Sequence, residues 1–298
     1  MNTITLVLVG ATALTGIMWL FDVFCFRKQR KEELKKAEAE ARVPLTRREK
    51  NEILESGGIW GNLVSCFPVL LAVLLVRSFL YEPFRIPSAS MMPTLVRGDF
   101  ILIEKFRYGF RNPFTNKVFY ATGTPARGDV VVFKFPEDPS IDYIKRIVGL
   151  PGDRILVSKG QLYIQEKGGT DFKPITAREL PENEQLYLER NPAYSSEAGV
   201  MGNEDLLGVQ HRIMRDRGVM SPEPFFDDGT SNVVGNIHGE WLVPEGHYFV
   251  MGDNREHSRD SRYWGFVPED YLLGRAVAVW FSCTMDGGVR IDRIGGIN

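Results

Sequence analysis

The chain has 298 residues, of which 44% are hydrophobic, so it can hold one large domain or two small ones with a substantial core. This composition excludes an intrinsically disordered chain. A net charge of -2 gives no general electrostatic attraction to nucleic acid, and we expect no nucleic-acid partner. Of the three cysteines, only Cys283 lies in the later chain, which therefore cannot form an internal disulfide.

The first apolar segment, residues 3–26, predicts a transmembrane helix. Its one charged residue is Asp22, and at about 1.5 Å per residue the segment can cross a hydrocarbon core of about 30 Å. A cleaved signal peptide is the alternative. Because Met1, Asn2 and Thr3 supply no basic residue in front of the apolar run, we favour an uncleaved anchor.

Residues 27–58 form a basic connection between this segment and a second one. Ten basic side chains stand against five acidic ones between Arg27 and Lys50, and such an excess is typical of a cytoplasmic loop. Its other interpretation is a solvated helix, which is compatible with the same location.

Residues 59–80 predict a second transmembrane helix, uncharged as far as Val76. Pro68 lies inside it, and membrane helices tolerate proline. With the basic loop on the cytoplasmic side, residues 81–298 are predicted to lie on the outer side of the membrane.

Beyond residue 80 the sequence changes to short apolar runs separated by turns, which predicts a mainly β extracytoplasmic domain. Gly-Asp pairs at Gly98-Asp99, Gly128-Asp129 and Gly152-Asp153 precede the runs FILIEKF, VVVFKF and RILVSK. Further strands are expected at Tyr143–Val148, Gln161–Ile164, His247–Met251 and Arg275–Ser282.

Between about residues 165 and 240 the sequence is rich in Glu, Asn, Gly and Pro and has weak periodicity. We interpret this region as a subdomain inserted into the β core. His211 and His238 lie in it without the spacing of metal ligands, so we expect both at the surface and no metal site.

The stretch Phe84–Asp99, FRIPSASMMPTLVRGD, carries two hydroxyl groups between two prolines. Pro87 and Pro93 exclude a regular helix, so Ser88 and Ser90 are expected on a stiff extended or turn segment. Apolar neighbours suit a groove for an apolar or small-residue substrate. A proline-rich connection without chemistry is the alternative.

A hydrolytic serine needs a base, which can be a histidine or a lysine held neutral. His257 lies in a dense polar motif, but no carboxylate is evidently placed to orient it. Lys105, Lys134 and Lys145 all lie in apolar runs, where desolvation lowers a lysine pKa. Composition does not rank the three. The two-residue period of a strand places Lys145 on one face with Tyr143.

The stretch Met251–Pro268, MGDNREHSRDSRYWGFVP, is crowded with polar groups. Asp260 and Arg262 are able to pair across a bend and stiffen it. Ser258 and Ser261 are then available to hold a nearby amine. A turn-rich loop without function is the alternative.

Five motifs, in order behind the two predicted spans, resemble bacterial type I signal peptidase, also called leader peptidase. They are IPSASMMPTL, GDFILIEKF, RGDVVVFKFP, YIKRIVGLPGD and GDNREHSRDSRYWGFVP. The resemblance covers most of the chain from about residue 81 onward and lapses in the insertion.

The resemblance implies a β-rich catalytic core tied to the bacterial inner membrane by two helices, with the catalytic domain on the periplasmic side. The expected substrates are exported preproteins whose signal peptides end in small residues, A-x-A in type. Besides the lipid bilayer, the expected neighbour is the protein-export translocon. The resemblance implies no cofactor and no metal.

Carried over position by position, the family's nucleophile falls on Ser90 and its general base on Lys145. Ser88 matches a hydroxyl that completes the oxyanion hole, and Ser258 matches the serine that hydrogen-bonds the lysine. Asp260 and Arg262 match a supporting ion pair. The pockets for small substrate side chains are then lined by Phe84, Ile86, Pro87, Met91, Leu95, Tyr143 and Ile144.

Trp264 and Trp280 are candidates for the lipid interface, with packing inside the domain as an equal alternative. Two other functions remain open at this point. A Ser-Lys self-cleaving repressor uses a similar core, but it carries a DNA-binding helix-turn-helix in place of membrane spans. A non-catalytic membrane-tethered β module needs neither Ser90 nor Lys145.

The orientation predicts a protease-protection pattern. Protease added outside intact spheroplasts is expected to digest residues 81–298 and to spare residues 27–58, because the basic excess keeps that loop inside. Fragment masses over time measure this, and cleavage of the loop before the domain would reverse the orientation.

Overall fold

The computed structural model describes residues 3–41, 43–54, 58–112, 115–185, 199–216, 223–229, 232–235, 237–284 and 287–297. The chain divides into two compact units, Met1–Leu80 and Tyr81–Asn298. The first is helical and the second is built mostly of β-strands, so the predicted fold class is confirmed. Parts of the predicted insertion, residues 186–198 and 217–222, lie outside the described residues.

The N-terminal unit contains two helical stretches, Thr5–Glu40 and Gly58–Leu80, that are long and apolar enough to cross a membrane. Most of the predicted loop 27–58 is helical rather than irregular. The elements in chain order are α1 Thr3–Phe21, a π-helical turn Asp22–Phe26, α2 Arg27–Glu40, α3 Arg47–Leu54, α4 Gly58–Leu75 and a second π-helical turn Val76–Leu80.

Helices α1 and α4 pack against each other through small residues. Thr12 and Thr15 are buried, and their hydroxyls donate to carbonyl oxygens one turn earlier at 2.7 and 2.8 Å. Gly16 leaves room for the Phe67 ring, which lies 2.8 Å from where a Cβ atom would stand. Small side chains let helix backbones approach closely, and close approach is the main source of helix association in lipid.

The C-terminal unit consists mostly of short β-strands. In chain order they are β1 Tyr81–Arg85, β2 Asp99–Glu104, β3 Phe110–Arg111, β4 Val118–Tyr120, β5 Val130–Lys134, β6 Asp142–Gly149, β7 Arg154–Ser158, β8 Gln161–Gln165, β9 Lys173–Pro174, β10 Ala177–Glu179, β11 Val200–Asp205, β12 Gln210–Arg215, β13 Asn232–Val234, β14 His238–Leu242, β15 His247–Met251, β16 Val267–Pro268, β17 Leu272–Ser282 and β18 Gly295–Gly296.

The unit is built around one sheet of eight strands, ordered β1-β2-β17-β5-β6-β15-β16 with β18 paired to β17. Smaller sheets have the orders β10-β11-β12 and β13-β14-β7-β8-β9, and β3 pairs with β4. A short helix α5, Ser261–Trp264, and two 3₁₀ turns, Glu269–Tyr271 and Ile291–Arg293, complete the unit.

The three Gly-Asp pairs do enter strands, for a reason visible in their backbone. Their glycines have φ of +90°, +88° and +89°, which side-chain-bearing residues rarely adopt. Each aspartate accepts a hydrogen bond from the backbone N–H three residues earlier, at 3.0, 3.0 and 2.7 Å. Glycine therefore makes the turn and the carboxylate holds it closed before β2, β5 and β7.

Strand β6 lies between two apolar clusters of the core, because its side chains alternate between its two faces. Ile144 packs into one cluster, whereas Tyr143 and Ile147 pack into the other. Lys145 therefore shares a face with Tyr143, as the sequence predicts, and its Nζ lies 5.5 Å from the centre of that ring.

Two of the side chains considered for the surface, His211 and Trp264, are buried. The prediction that His211 is a surface residue is wrong, because it is 5% exposed and its Nε2 lies 3.3 Å from Glu204 Oε2. For Trp264 the packing alternative holds, since it is buried against Phe133 and Phe135. Trp280 remains half-exposed.

Candidate active site

Ser90 lies on a loop between β1 and β2 that contains neither helix nor strand, as expected from its prolines. Ile86 closes the loop, because its N–H donates to Asp99 and its carbonyl accepts from Gly98. Met91 and Leu95 are fully buried and anchor the loop in the core. Ser90 therefore lies on a segment that is fixed by the backbone hydrogen bonds of Ile86 and by the buried side chains of Met91 and Leu95.

Lys145 reaches Ser90 from β6. Its Nζ lies 2.6 Å from Ser90 Oγ, and both residues are buried, at 4% and 8% exposure. Ser88, on the same loop but exposed, has its Oγ 3.3 Å from Ser90 Oγ. An amine in hydrogen-bond contact with a hydroxyl is the geometry that a general base and its nucleophile need.

Burial lowers the pKa of Lys145 to about 8, in the direction that the sequence predicts. Asp260 and Asp253 act in the opposite direction but do not cancel this effect, while Arg262 reinforces it. The cause is that taking an ammonium group out of water disfavours its charged form. This lysine is therefore much closer to neutrality at physiological pH than a solvated one.

The other candidate bases have different surroundings. Lys105 Nζ lies 3.1 Å from Glu82, and Lys134 Nζ lies 2.6 Å from Asp142, each at a partly exposed position. His257 is also partly exposed, with its Nε2 2.7 Å from Asp216 Oδ2. Among the described residues, Lys145 is the base that makes a hydrogen bond with Ser90 Oγ.

The backbone of residues 252–254 holds the serine loop from the other side. Asn254 donates its N–H to the Ser90 carbonyl at 3.1 Å, and its Nδ2 donates to the Ala89 carbonyl at 3.2 Å. A Cβ atom at Gly252 would overlap both the Ser90 carbonyl oxygen and Ser258 Oγ. Only glycine permits so close an approach.

Asp260 and Arg262 form a fully buried ion pair across the predicted bend. Asp260 accepts from Arg262 Nε at 2.8 Å and from Arg262 Nη2 at 2.9 Å, and also from Gly252 N–H at 3.0 Å. Burial by itself would raise the pKa of Asp260, but the guanidinium holds that pKa below its usual range. Ser258 is buried beside this pair, and in the described part of the chain its Oγ makes no hydrogen bond with Lys145.

A second buried ion pair, which sequence reasoning missed, joins β6 to the serine loop. Asp253 accepts from Arg146 Nε at 2.9 Å and Nη2 at 2.8 Å, and also from Thr94 Oγ1 at 2.5 Å. Arg146 also donates to the Gly128 carbonyl at 2.7 Å. Burial would raise the pKa of Asp253, but Arg146, together with His211 and Thr94, holds that pKa below its usual range. The available signal was an arginine next to Lys145 in an apolar run, and an aspartate next to Gly252 directly after the apolar run His247–Met251.

The predicted pocket residues are mostly brought together. Four of them lie in one buried cluster with Phe84 packed against it: Ile86, Met91, Leu95 and Ile144. Tyr143 lies on the opposite face of β6, stacked on Phe135 at 4.3 Å between ring centres. Pro87 is exposed beside Ser88.

Residues 59–281 match the family described as signal peptidase, peptidase S26. The chain is 36% identical to signal peptidase I of Buchnera aphidicola, covering 100% of this chain and 99% of that protein. It is 36% identical to signal peptidase I of Haemophilus influenzae, over 98% and 91% of the two chains. For signal peptidase I of Pseudomonas aeruginosa the identity is 37%, over 93% and 91%.

The chain belongs to the signal peptidase family. The resemblance seen in the five motifs is therefore confirmed. Members of peptidase family S26 are hydrolases. The chain is therefore an enzyme, and the contact between Ser90 and Lys145 belongs to it.

The buried pair of Asp253 and Arg146 predicts a large loss of stability on removal of one partner. Asp253→Ala leaves a guanidinium buried without its carboxylate and is expected to cost about 3–5 kcal/mol of unfolding free energy. Denaturant unfolding of the full chain in detergent, followed by tryptophan fluorescence, measures this.

Glu245→Ala is the matched control, because Glu245 pairs with Lys167 at an exposed position. It is expected to change the unfolding free energy by less than about 1 kcal/mol. Equal effects of the two substitutions would contradict the structural importance of the buried pair.

Proposed function

We propose that the protein removes N-terminal signal peptides from exported preproteins, with Ser90 as the nucleophile and Lys145 as the general base. The observation that carries this assignment is the 2.6 Å contact between Lys145 Nζ and Ser90 Oγ at a buried site where the lysine pKa falls to about 8. The cleavage sites are those with small residues at the last and third-last positions of the signal peptide.

In the first step the neutral amine of Lys145 takes the proton from Ser90 Oγ while the oxygen attacks the carbonyl carbon of the last residue of the signal peptide. The C–N bond then breaks, and the ammonium gives its proton to the departing amino terminus of the mature protein. Water, deprotonated by the same amine, hydrolyses the acyl-enzyme and releases the signal peptide. One base thus serves both half-reactions.

The depressed pKa has a large effect on the amount of active base. At pH 7 a lysine with its usual pKa is neutral about 0.04% of the time, whereas a pKa near 8 leaves about 9% neutral. The difference is roughly 200-fold in the population able to accept the serine proton.

The oxyanion that develops on the substrate carbonyl needs donors near Ser90. Ser88 Oγ is 3.3 Å from Ser90 Oγ, and the carbonyl of Ser90 is already held by Asn254. Within the described residues Ser90 N–H makes no hydrogen bond, so it is available as the second donor. The Ser90 N–H and the Ser88 hydroxyl are therefore the donors we assign to the oxyanion.

Substrate selection follows from packing beside the serine. Ile86, Met91 and Leu95 are at most 1% exposed, so a substrate side chain directed at this cluster meets filled space. Small residues at the cleavage site suit such shallow pockets. Phe84, Pro87, Tyr143 and Ile144 are the remaining residues that we assign to substrate binding.

Two N-terminal helices anchor the enzyme in a membrane. We infer that this is the bacterial inner membrane, that residues 81–298 lie on its periplasmic side, and that the enzyme acts close to the protein-export translocon. The basic excess of residues 27–58 supports this orientation. A membrane anchor confines enzyme and signal peptide to one thin layer, which raises their effective concentration.

The assignment of the two serines predicts different losses. Ser90→Ala is expected to abolish cleavage of a purified preprotein by the full-length enzyme, with the unfolding midpoint unchanged. Ser88→Ala is expected to reduce kcat by about 10²- to 10³-fold, the usual effect of losing one oxyanion donor. An indispensable Ser88 and a dispensable Ser90 would mean that the two roles are reversed.

The lowered lysine pKa predicts the pH dependence of cleavage. Because the neutral amine is the active form, kcat/KM rises with pH along a limb centred near the pKa of about 8 in the free enzyme. Lys145→Arg is expected to be inactive, since a guanidinium keeps its proton.

His257→Ala is the control for a histidine base. It is expected to leave this limb in place when kcat/KM is measured between pH 6 and 10. Loss of the limb in this variant would mean that His257, and not Lys145, is the general base.

A further inference from the structure

The hairpin β11–β12, in the predicted insertion, contacts the backbone segment that holds Ser90. Met214 of β12 donates its N–H to the Asp253 carbonyl at 2.9 Å, and its own carbonyl accepts from Arg255 N–H at 3.0 Å. Asn254, between these two residues, donates its N–H to the Ser90 carbonyl at 3.1 Å. This short segment is therefore bonded to the serine loop on one side and to the hairpin on the other.

A buried carboxylate on the neighbouring strand reinforces this contact. Glu204 of β11 is 1% exposed and accepts a hydrogen bond from Nη2 of Arg255, which is also buried. His211, which faces Glu204 across the hairpin, has its Nε2 3.3 Å from Glu204 Oε2 and 3.8 Å from Asp253 Oδ1. The hairpin therefore places one carboxylate and one imidazole against the two charged side chains that flank Asn254.

The Glu204 carboxylate is the counter-charge of Arg255. Burial by itself would raise the pKa of Glu204, but the Arg255 guanidinium, together with His211, lowers it to about 2. Glu204 is therefore ionised at neutral pH. Among the described residues it is the carboxylate that forms an ion pair with Arg255, since Asp253 pairs with Arg146. Removal of one partner of such a pair leaves the other charge buried and uncompensated.

The position of Asn254 matters because it is passed on to the nucleophile. Its backbone N–H and its Nδ2 donate to the carbonyls of two consecutive loop residues, Ser90 and Ala89, at 3.1 and 3.2 Å. Ser90 Oγ in turn lies 2.6 Å from Lys145 Nζ. A misplacement of about 1 Å in a reacting contact costs about 10²-fold in rate. Whatever fixes Asn254 therefore affects the chemical step.

We propose that Glu204 is a positioning residue for the reaction. By holding Arg255 it fixes Asn254 against the serine loop, so that Ser90 Oγ stays in contact with Lys145. This inference rests on the proposed function and gives the hairpin β11–β12 a part in catalysis. Because Glu204 acts on the placement of the nucleophile and not on peptide binding, its loss lowers kcat and leaves KM nearly unchanged.

Glu204→Gln tests this, because it keeps the size of the side chain and removes its charge. With the full-length enzyme and a purified preprotein, at a temperature where the unfolding curve shows the variant folded, kcat is expected to fall about 10- to 100-fold at nearly constant KM. Glu184→Gln is the matched control, since Glu184 pairs with Arg212 of β12 at an exposed position, and it is expected to keep kcat. An unchanged kcat in Glu204→Gln would overturn the proposal.

The double variant Glu204→Leu with Arg255→Met separates positioning from stability. Apolar side chains of similar volume often replace a buried ion pair without loss of stability. The unfolding midpoint is therefore expected to lie above that of Glu204→Gln, while kcat stays reduced because the directed contact is absent. Recovery of both quantities, or loss of folding in both variants, would mean that the pair serves the fold alone and would overturn the proposal.

Hydrogen exchange gives a readout independent of cleavage. In Glu204→Gln the amides of Asn254 and Arg255 are expected to exchange about 10-fold faster, because their hydrogen bonds open locally, while the amides of β5 keep their protection. An equal increase in both segments would indicate global destabilisation and contradict the proposal. Failure of the unaltered enzyme to cleave a preprotein would instead overturn the proposed function, and the exchange result would still decide whether Glu204 holds the serine loop.

Discussion

The site depends on the burial of one amine, Lys145 Nζ, which forms no ion pair with a carboxylate among the described residues. Lys145 lies in β6 next to Arg146, and two buried aspartates stand nearby. Each aspartate is already neutralised by a guanidinium: Asp253 by Arg146 and Asp260 by Arg262. For the Lys145 amine, desolvation of the charged form therefore outweighs the attraction of the two aspartates, and its pKa falls. Free carboxylates at the same positions would have held the lysine charged.

The two ion pairs also fix where the serine stands. Asp253 joins Arg146 of β6 to Thr94 of the serine loop, and Asp260 receives the N–H of Gly252. Between them, the backbone of residues 252–254 lies against the Ser90 carbonyl, and at Gly252 there is no room for a side chain. Buried charged pairs stabilise a fold little when compared with apolar packing, but breaking one is costly. Their role here is to hold two distant segments in one geometry.

Each of the two units is stabilised internally by a different kind of interaction. In the C-terminal unit, apolar clusters on both faces of β6 are removed from water. The N-terminal helices expose most of their apolar side chains and meet through Thr12, Thr15 and Gly16. Lipid supplies no hydrophobic drive between helices, so close packing of small residues has to supply the contact.

Much of this protein is determined by local sequence. The spans, the strands and the Gly-Asp turns follow from hydrophobic period and from the backbone freedom of glycine, which act over a few residues. The motifs around Ser90 and Lys145 carry the family resemblance. Apolar context did not rank the three lysines and only the resemblance selected Lys145; the tertiary structure decided that this lysine contacts the serine. It also paired Arg146 with Asp253 and buried His211 and Trp264. Each of these depends on segments that are distant in the chain coming into contact, and neither period nor propensity records which distant segments will meet.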